Sequence, residues 1–282
     1  MADTEQPDWL ADTSDETFAN DVLEASQSAI VVLDFWATWC QPCTMLSPLL
    51  EKVVSEHNGS VLLVKADTDL APKAAAEYGV QSLPAVFAIL DGDPVDGFQG
   101  LMAEEDLRDW LGRLVRHKQL LDLQGLEKTD AEAALTGYRE ILASDEDSPH
   151  ANIGLARVLL ATNDADGASE IIARLEERGF LEPEAERIKA QLSIDSIDDD
   201  AIESLRSAAD SGDYDDQLKL AQALASSQQY DEACTIALTL IAEDRSRTGK
   251  DAHQLMLNMF TALPDDSEVT ATYRRRLAMA LY

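Results

Sequence analysis

Two cysteines, Cys40 and Cys43, stand with only Gln41 and Pro42 between them. Residues 29–35 (AIVVLDF) form a short, apolar, β-branched run that predicts a buried strand. From Cys40 to about His57 the pattern predicts a helix, with Pro48 kinking it. Cys40 therefore opens a helix. A helix N-terminus presents free backbone N–H groups and the positive end of the macrodipole, and both stabilise a thiolate. A thiol placed there ionises below its ordinary pKa of about 8.5. Cys40 is thus the candidate attacking nucleophile of thiol–disulfide exchange. Cys43, about one turn in and more buried, is the candidate resolving thiol, attacking the mixed disulfide from within the chain.

Two other uses of such a pair carry less weight. A zinc half-site needs a second CxxC or a His pair. Cys234 is far away in sequence, and His57, His117, His150 and His253 show no ligand spacing, so no metal is expected. A structural disulfide closing so small a loop stabilises little. The redox-active pair itself stands in place of a cofactor.

The elements that must position these thiols follow from the periodicities. At roughly 150 residues per domain, 282 residues suggest two domains. A polar, loosely ordered N-terminus is expected over residues 1–13. A helix starts at Ser14 and runs to about Ala25. Residues 60–66 (SVLLVKA) predict a second buried strand, residues 71–78 a short helix closed by Gly79, and residues 85–90 (AVFAIL) a third strand. A turn over residues 91–94 leads into a fourth strand, 95–100, completing a hairpin. Residues 104–117 predict an amphipathic helix with acids in its first turn and bases in its last. Alternating strands and helices give an α/β domain over 14–118.

After about residue 119 the strand signals vanish, and the helical remainder repeats. Ala134, Ala168, Ala201 and Ala233 recur at a period near 34. Tyr138, Ile172, Leu205 and Ala237 follow four residues later, and Ile141, Leu175, Ala208 and Leu240 seven later. A small residue with apolar partners on its own helix face, at this period, is the tetratricopeptide (TPR) signature. Leu155-Ala156 and Leu220-Ala221 supply the preceding helix of two units. The third unit fits poorly, with Lys189 at the small-residue offset and Ala190 beside it, and the first lacks a clear first helix. Residues 119–282 are read as three to four degenerate repeats, with a helical cap at about 251–282.

The net charge is −32. Residues 1–118 carry 21 acidic against 7 basic side chains, and residues 119–282 carry 33 against 15. Both halves are acidic, so no basic stripe exists to neutralise phosphates, and nucleic-acid binding is not expected. Such charge keeps a protein monodisperse by self-repulsion; it equally suits a protein that stays dissolved while holding sticky clients. The N-terminus has no basic or apolar signal region, and no apolar run reaches the ~18 residues of a membrane span, so no membrane partner is expected. With only three cysteines, the chain is assigned to a reducing, cytoplasmic compartment.

The stretch AIVVLDFWATWCQPC resembles the active-site strand and turn of thioredoxins, whose usual motif is WCGPC. The resemblance covers roughly residues 15–118. It places Pro48 on the family's helix-kinking proline, Ser82-Leu83-Pro84 on its cis-proline loop, and Gly100-Leu101 beside its substrate groove. It implies that Asp34 is the buried acid beneath Cys43 and Lys65 its buried charge neighbour. It also implies that Trp39 is an exposed apolar wall beside Cys40. Pro84 would be cis and shape the groove, and the Leu83 backbone would hydrogen-bond an extended client. Gln41 replaces the family's glycine, which leaves the redox poise open. Thioredoxin reductase is the implied electron donor.

A thioredoxin fold followed by an all-α TPR-like domain resembles the thioredoxin–TPR co-chaperones called chaperedoxins (the YbbN/CnoX family). The ending YRRRLAMALY strengthens the likeness. The resemblance implies a bacterial cytoplasmic co-chaperone that binds unfolding or oxidised clients and passes them to the GroEL chaperonin or the DnaK system. Arg274, Arg275 and Arg276 form the basic cluster of that ending, readable as a partner-docking patch or as a solvated face. Cys234 is readable as a core residue or as a second redox thiol. Two other functions stay in play, a protein-disulfide reductase whose repeats recruit its substrate and a non-enzymatic scaffold.

Overall fold

A computed structural model describes residues 7–57, 59–194, 199–264 and 266–281, with the backbone alone over 199–201. Two compact units, Met1–Asp122 and Leu123–Tyr282, divide the chain.

The first unit is a five-stranded mixed sheet. Strand β1 (Leu10–Thr13) is followed by a helical segment, Ala19–Glu24 and then Ala25–Gln27, and by β2 (Ile30–Trp36). Helix α1 (Gln41–Ser55), β3 (Val61–Asp67), α2 (Pro72–Glu77), β4 (Ala85–Leu90), β5 (Asp93–Gln99) and α3 (Glu104–Leu126) complete it. The strand order is β1-β3-β2-β4-β5. β1 and β2 each run parallel to β3, whereas β4 is antiparallel to both β2 and β5. The sheet is covered on both faces, which explains why β2 is apolar apart from Asp34. Ile30 and Val32 face a core with Leu46 and Leu50 of α1 and Leu107 and Trp110 of α3. Val31, Leu33 and Phe35 face the opposite core with Ala74 and Ala75 of α2. Since strand side chains alternate, Asp34 lies on the face of Ile30 and Val32, the one covered by α1.

Several expectations change. The helix expected from Ser14 begins only at Ala19 and ends at Gln27, and the strand expected over 95–100 spans Asp93–Gln99. Residues 10–13, expected to be loose, form β1, paired from Leu10↔Leu63 to Thr13↔Ala66; residues 1–6 lie outside the described residues. The backbone ladder of a parallel edge strand supplies order that a polar sequence does not advertise. The helix expected over 104–117 runs to Leu126, so its last turn carries no base. The division between the units falls inside it, four residues beyond the expected boundary.

The second unit is all helical: α4 (Ala131–Ser144), α5 (Pro149–Ala161), α6 (Ala165–Glu176), α7 (Pro183–Leu192), α8 (Asp199–Ala209), α9 (Tyr214–Ser226), α10 (Tyr230–Glu243), α11 (Thr248–Ala262) and α12 (Glu268–Leu281). The small repeat residues Ala134, Ala168 and Ala233 are fully buried. So are Ala156 and Ala221 on the preceding helices α5 and α9. The side chain of Ala201 lies outside the described residues. Gly154 of α5 sits so close to the Tyr138 ring of α4 that no Cβ would fit, the close approach that small residues allow. The missing first helix of the first repeat is the end of α3, whose Leu123 packs on Gly137. The poor third repeat has a physical counterpart. α7 packs against α11, where Asn258 donates to the Ser193 hydroxyl at 2.7 Å, while α8 packs against α9.

Candidate functional site

The end of β2 delivers the chain into a tight turn. The Cys40 N–H donates to the Ala37 carbonyl at 3.0 Å, and the Thr68 N–H donates to the Trp36 carbonyl at 3.0 Å. Cys40 then caps α1 with an extended backbone (φ −86°, ψ 99°), and its Sγ accepts the Cys43 N–H at 3.2 Å. Pro42, in the first helical turn, gives up an N–H that has no helical acceptor there. Cys40 and Cys43 are joined as a disulfide with Cα atoms 5.4 Å apart. They pack with Ala37, Trp36 and Leu83. Cys40 is 4 % exposed and Cys43 1 %, whereas Trp39 beside them is 69 % exposed. Gln41 and Pro42 are also exposed. A thiol released at Cys40 faces backbone N–H donors at the positive end of a fifteen-residue helix, which favours its thiolate.

The Leu83–Pro84 peptide bond is cis, and it brings Leu83 against the cysteines. Gly100 fixes this loop from the other strand. Its N–H donates to the Pro84 carbonyl at 2.8 Å, and its φ of +86° is a backbone conformation that suits glycine.

The sheet core under α1 also holds a polar group. Asp34 is 1 % exposed. Burial pushes its carboxyl pKa up to about 6, opposed by a hydrogen bond from Ser47 and by the charge of Lys65, and helped by the charge of Glu51. The Ser47 hydroxyl donates to Asp34 Oδ2 at 3.2 Å. Asp34 Oδ1 is buried with no hydrogen-bond partner among the described residues. Lys65 stands opposite Asp34 in the β2–β3 register, but its ammonium pairs with Glu51 at 3.1 Å and lies 5.4 Å from the Trp36 ring centroid. Lys65 is thus a neighbour of Asp34 whose own ion pair goes elsewhere. Ser47, Glu51 and Trp36 were not singled out from the sequence. The signal was there: Cys43, Ser47 and Glu51 are spaced by four residues and share one face of α1.

The remaining candidates lie in the second unit. Arg274, Arg275 and Arg276 are exposed on α12. The Arg274 guanidinium lies 5.8 Å from the Phe260 ring centroid, and that of Arg276 4.9 Å from Tyr273. Cys234 is fully buried in α10 among Ala233, Ala237 and Leu238, and burial pushes its thiol up to about 12. Among the described residues no cluster of three or more His, Cys, Asp or Glu could hold a metal ion, and no helix is long and apolar enough to cross a membrane.

Residues 10–113 match the family model described as Thioredoxin, and residues 126–192 and 195–282 match two models described as Tetratricopeptide repeat. The chain is 39 % identical over 90 residues to a thioredoxin of Staphylococcus haemolyticus, covering 32 % of this chain and 86 % of that protein. Thioredoxins of Staphylococcus epidermidis and Staphylococcus aureus are each 39 % identical over 87 residues, covering 31 % of this chain and 84 % of theirs.

Proposed function

The chain belongs to the thioredoxin family and carries TPR repeats after its thioredoxin domain; on that premise we propose that it is a redox-competent co-chaperone, binding unfolding or oxidised clients and exchanging their disulfides through Cys40 and Cys43. The observation that carries this reading is the sealed cysteine pair at the α1 N-terminus, beside an exposed Trp39, in one chain with a helical-repeat unit. In the reduced protein the Cys40 thiolate attacks a client disulfide, joins one client sulfur and releases the other as a thiolate. Asp34 takes the proton of the Cys43 thiol. The Cys43 sulfur then attacks Cys40 Sγ, re-forms the internal disulfide and expels the second client thiolate, so two electrons pass from the dithiol to the client. The ladder of β4 and β5 ends at Ala85↔Gln99, which leaves the Leu83 peptide groups to bond an extended client segment. Trp39 supplies the apolar wall, and Gln41, Pro42 and Gly100 line the approach.

The repeats supply the protein-binding surface, since solenoids present extended faces to partners. Hand-over to the GroEL chaperonin and the DnaK system, recharging by thioredoxin reductase, and a cytoplasmic location complete the proposal. Arg274–Arg276 are its candidate docking patch. Exposed Met279 and Leu281 on the same helix support that role. Deleting residues 273–282 should reduce co-purification with the chaperonin, and unchanged recovery removes the patch from the account.

Two assays test the whole reading. Insulin reduction should occur with the parent chain and fall to background with Cys40→Ser; an inactive parent removes the enzymatic half. Aggregation of a heat-unfolded client should slow in the presence of the chain, native or oxidant-treated. Reduction without any such protection leaves a dedicated disulfide reductase whose repeats recruit one substrate.

A further inference from the structure

We propose that Ser47 is a positioning residue for the exchange reaction: its hydroxyl holds one oxygen of the buried Asp34 carboxylate and leaves the other to receive the Cys43 proton. The inference rests on the reading of Asp34 as the base of the resolving step. Three observations carry it. Ser47 Oγ donates to Asp34 Oδ2 at 3.2 Å, while Oδ1 has no partner among the described residues. Ser47 lies four residues after Cys43 on α1, so the two side chains are neighbours on one helix face, one turn apart. The carboxylate that Ser47 holds therefore lies against the helix face that also carries the resolving sulfur, one turn from it. And Asp34 is held at the sheet by its ladder pairing with Lys65 and Val86, so the hydroxyl is the contact that orients its side chain.

The charged groups around Asp34 are few. Lys65 reaches it from β3 and favours the carboxylate; Glu51 reaches it from α1 and disfavours it. Cys43 stands one turn before Ser47 on the same face of α1, β4 offers the apolar Val86 at the paired position, and Trp36 is the polar neighbour along β2. Against burial, the first cause of the raised pKa, the Ser47 hydrogen bond is the largest opposing influence. The proton balance follows. Cys43–SH and Asp34–COO⁻ become Cys43–S⁻ and Asp34–COOH. The sulfur then forms the bond to Cys40 as the Cys40–client bond breaks, and the expelled client thiolate or solvent recovers the proton from Asp34.

The test uses the full reduced chain in stopped flow with a chromogenic aromatic disulfide. One coloured thiolate leaves on attack by Cys40, and a second on resolution by Cys43. The rate of the second phase is followed from pH 5 to 9 for the parent, Ser47→Ala, Ser47→Thr and Asp34→Asn. Ser47→Ala should move the acid limb up by about one pH unit, since a hydrogen bond to the charged form holds a pKa down. That shift slows resolution about fivefold at pH 6 and leaves it unchanged near pH 9, whereas a merely structural defect slows it at every pH. Ser47→Thr should restore the parent profile, and Asp34→Asn should abolish the limb. An unchanged limb in Ser47→Ala, with the limb lost in Asp34→Asn, overturns the role of Ser47 alone. A parent-like limb in Asp34→Asn overturns the assignment of Asp34 as base, and the Ser47 proposal with it.

Discussion

Cys40 and Cys234 are both almost sealed from water, at 4 % and 0 % exposed, yet their surroundings set them to opposite chemistry. Cys40 caps α1, where a backbone N–H already reaches its sulfur and the helix dipole favours negative charge. Cys234 sits inside α10, where the backbone N–H groups are used by the helix itself, and burial among alanine and leucine side chains drives its thiol up to about 12. Burial alone therefore says nothing about reactivity; the free donors at a helix end decide it. The two units differ in the same spirit. The sheet unit uses branched and aromatic side chains to seal a polar corner around Asp34. The helical unit uses small residues to bring helices together, and polar side chains it buries, such as Asn152 and Thr248, are hydrogen-bonded within the unit.

The sharpest way to break this comparison is chemical. In the reduced chain at pH 7, iodoacetamide should modify Cys40 at least about a hundredfold faster than Cys234, because thiolate fraction favours Cys40. Peptide mapping of a time course reads the ratio, and comparable rates would remove the distinction.

A second test compares pH dependence of stability. All four tryptophans, Trp9, Trp36, Trp39 and Trp110, lie in the first unit, so their fluorescence reports its unfolding alone. Native Asp34 keeps its proton up to about 6, against 3.8 for an ordinary carboxyl. The folded state thus binds more protons between these values. The stability this gives is fully present below about pH 4 and is lost as pH rises through 6. Asp34→Asn does not titrate. In urea titrations of the oxidised chain, its advantage over the parent should grow by about 3 kcal/mol between pH 4 and pH 7. A constant difference across that range contradicts the raised carboxyl.

The smallest effects are expected at the buried thiol itself. Cys234→Leu overpacks a site beside Ala233 and Ala237 and should cost about 1–3 kcal/mol. Cys234→Ala should cost about 1 kcal/mol, in keeping with the removal of one small buried group. Circular dichroism should show both losses in the helical transition, with the tryptophan transition and insulin reduction unmoved. A fall in reduction rate for Cys234→Ala would give this thiol a redox role.

Much of the fold was legible because its signals are local. Residues 29–35, 60–66 and 85–90 announce buried strands by short, largely apolar runs, and β2, β3 and β4 stand there. Ala134, Ala168 and Ala233 announce helix contacts by period, and each is fully buried. What stayed hidden depends on distant partners. β1 is a strand because β3 offers it a ladder, and its own sequence, LADT, has no strand alternation. α7 packs on α11, distant in sequence, as well as on its neighbours α5 and α6, and no repeat period encodes that distant contact. At the site, the CxxC spacing and the apolar run before it point directly to Cys40 and Cys43. Ser47 escaped notice because a serine in a helix is ordinary until the strand beneath it is known to carry Asp34.

The central claim, that Cys40 exchanges disulfides on clients recruited by the same chain, is tested most directly by a trap. Full-length Cys43→Ser, unable to resolve the mixed disulfide, is incubated with an oxidised, unfolding client and analysed by non-reducing electrophoresis and mass spectrometry. The account predicts covalent adducts through Cys40 that disappear with Cys40→Ser. Absence of adducts, or adducts through Cys234, would contradict it.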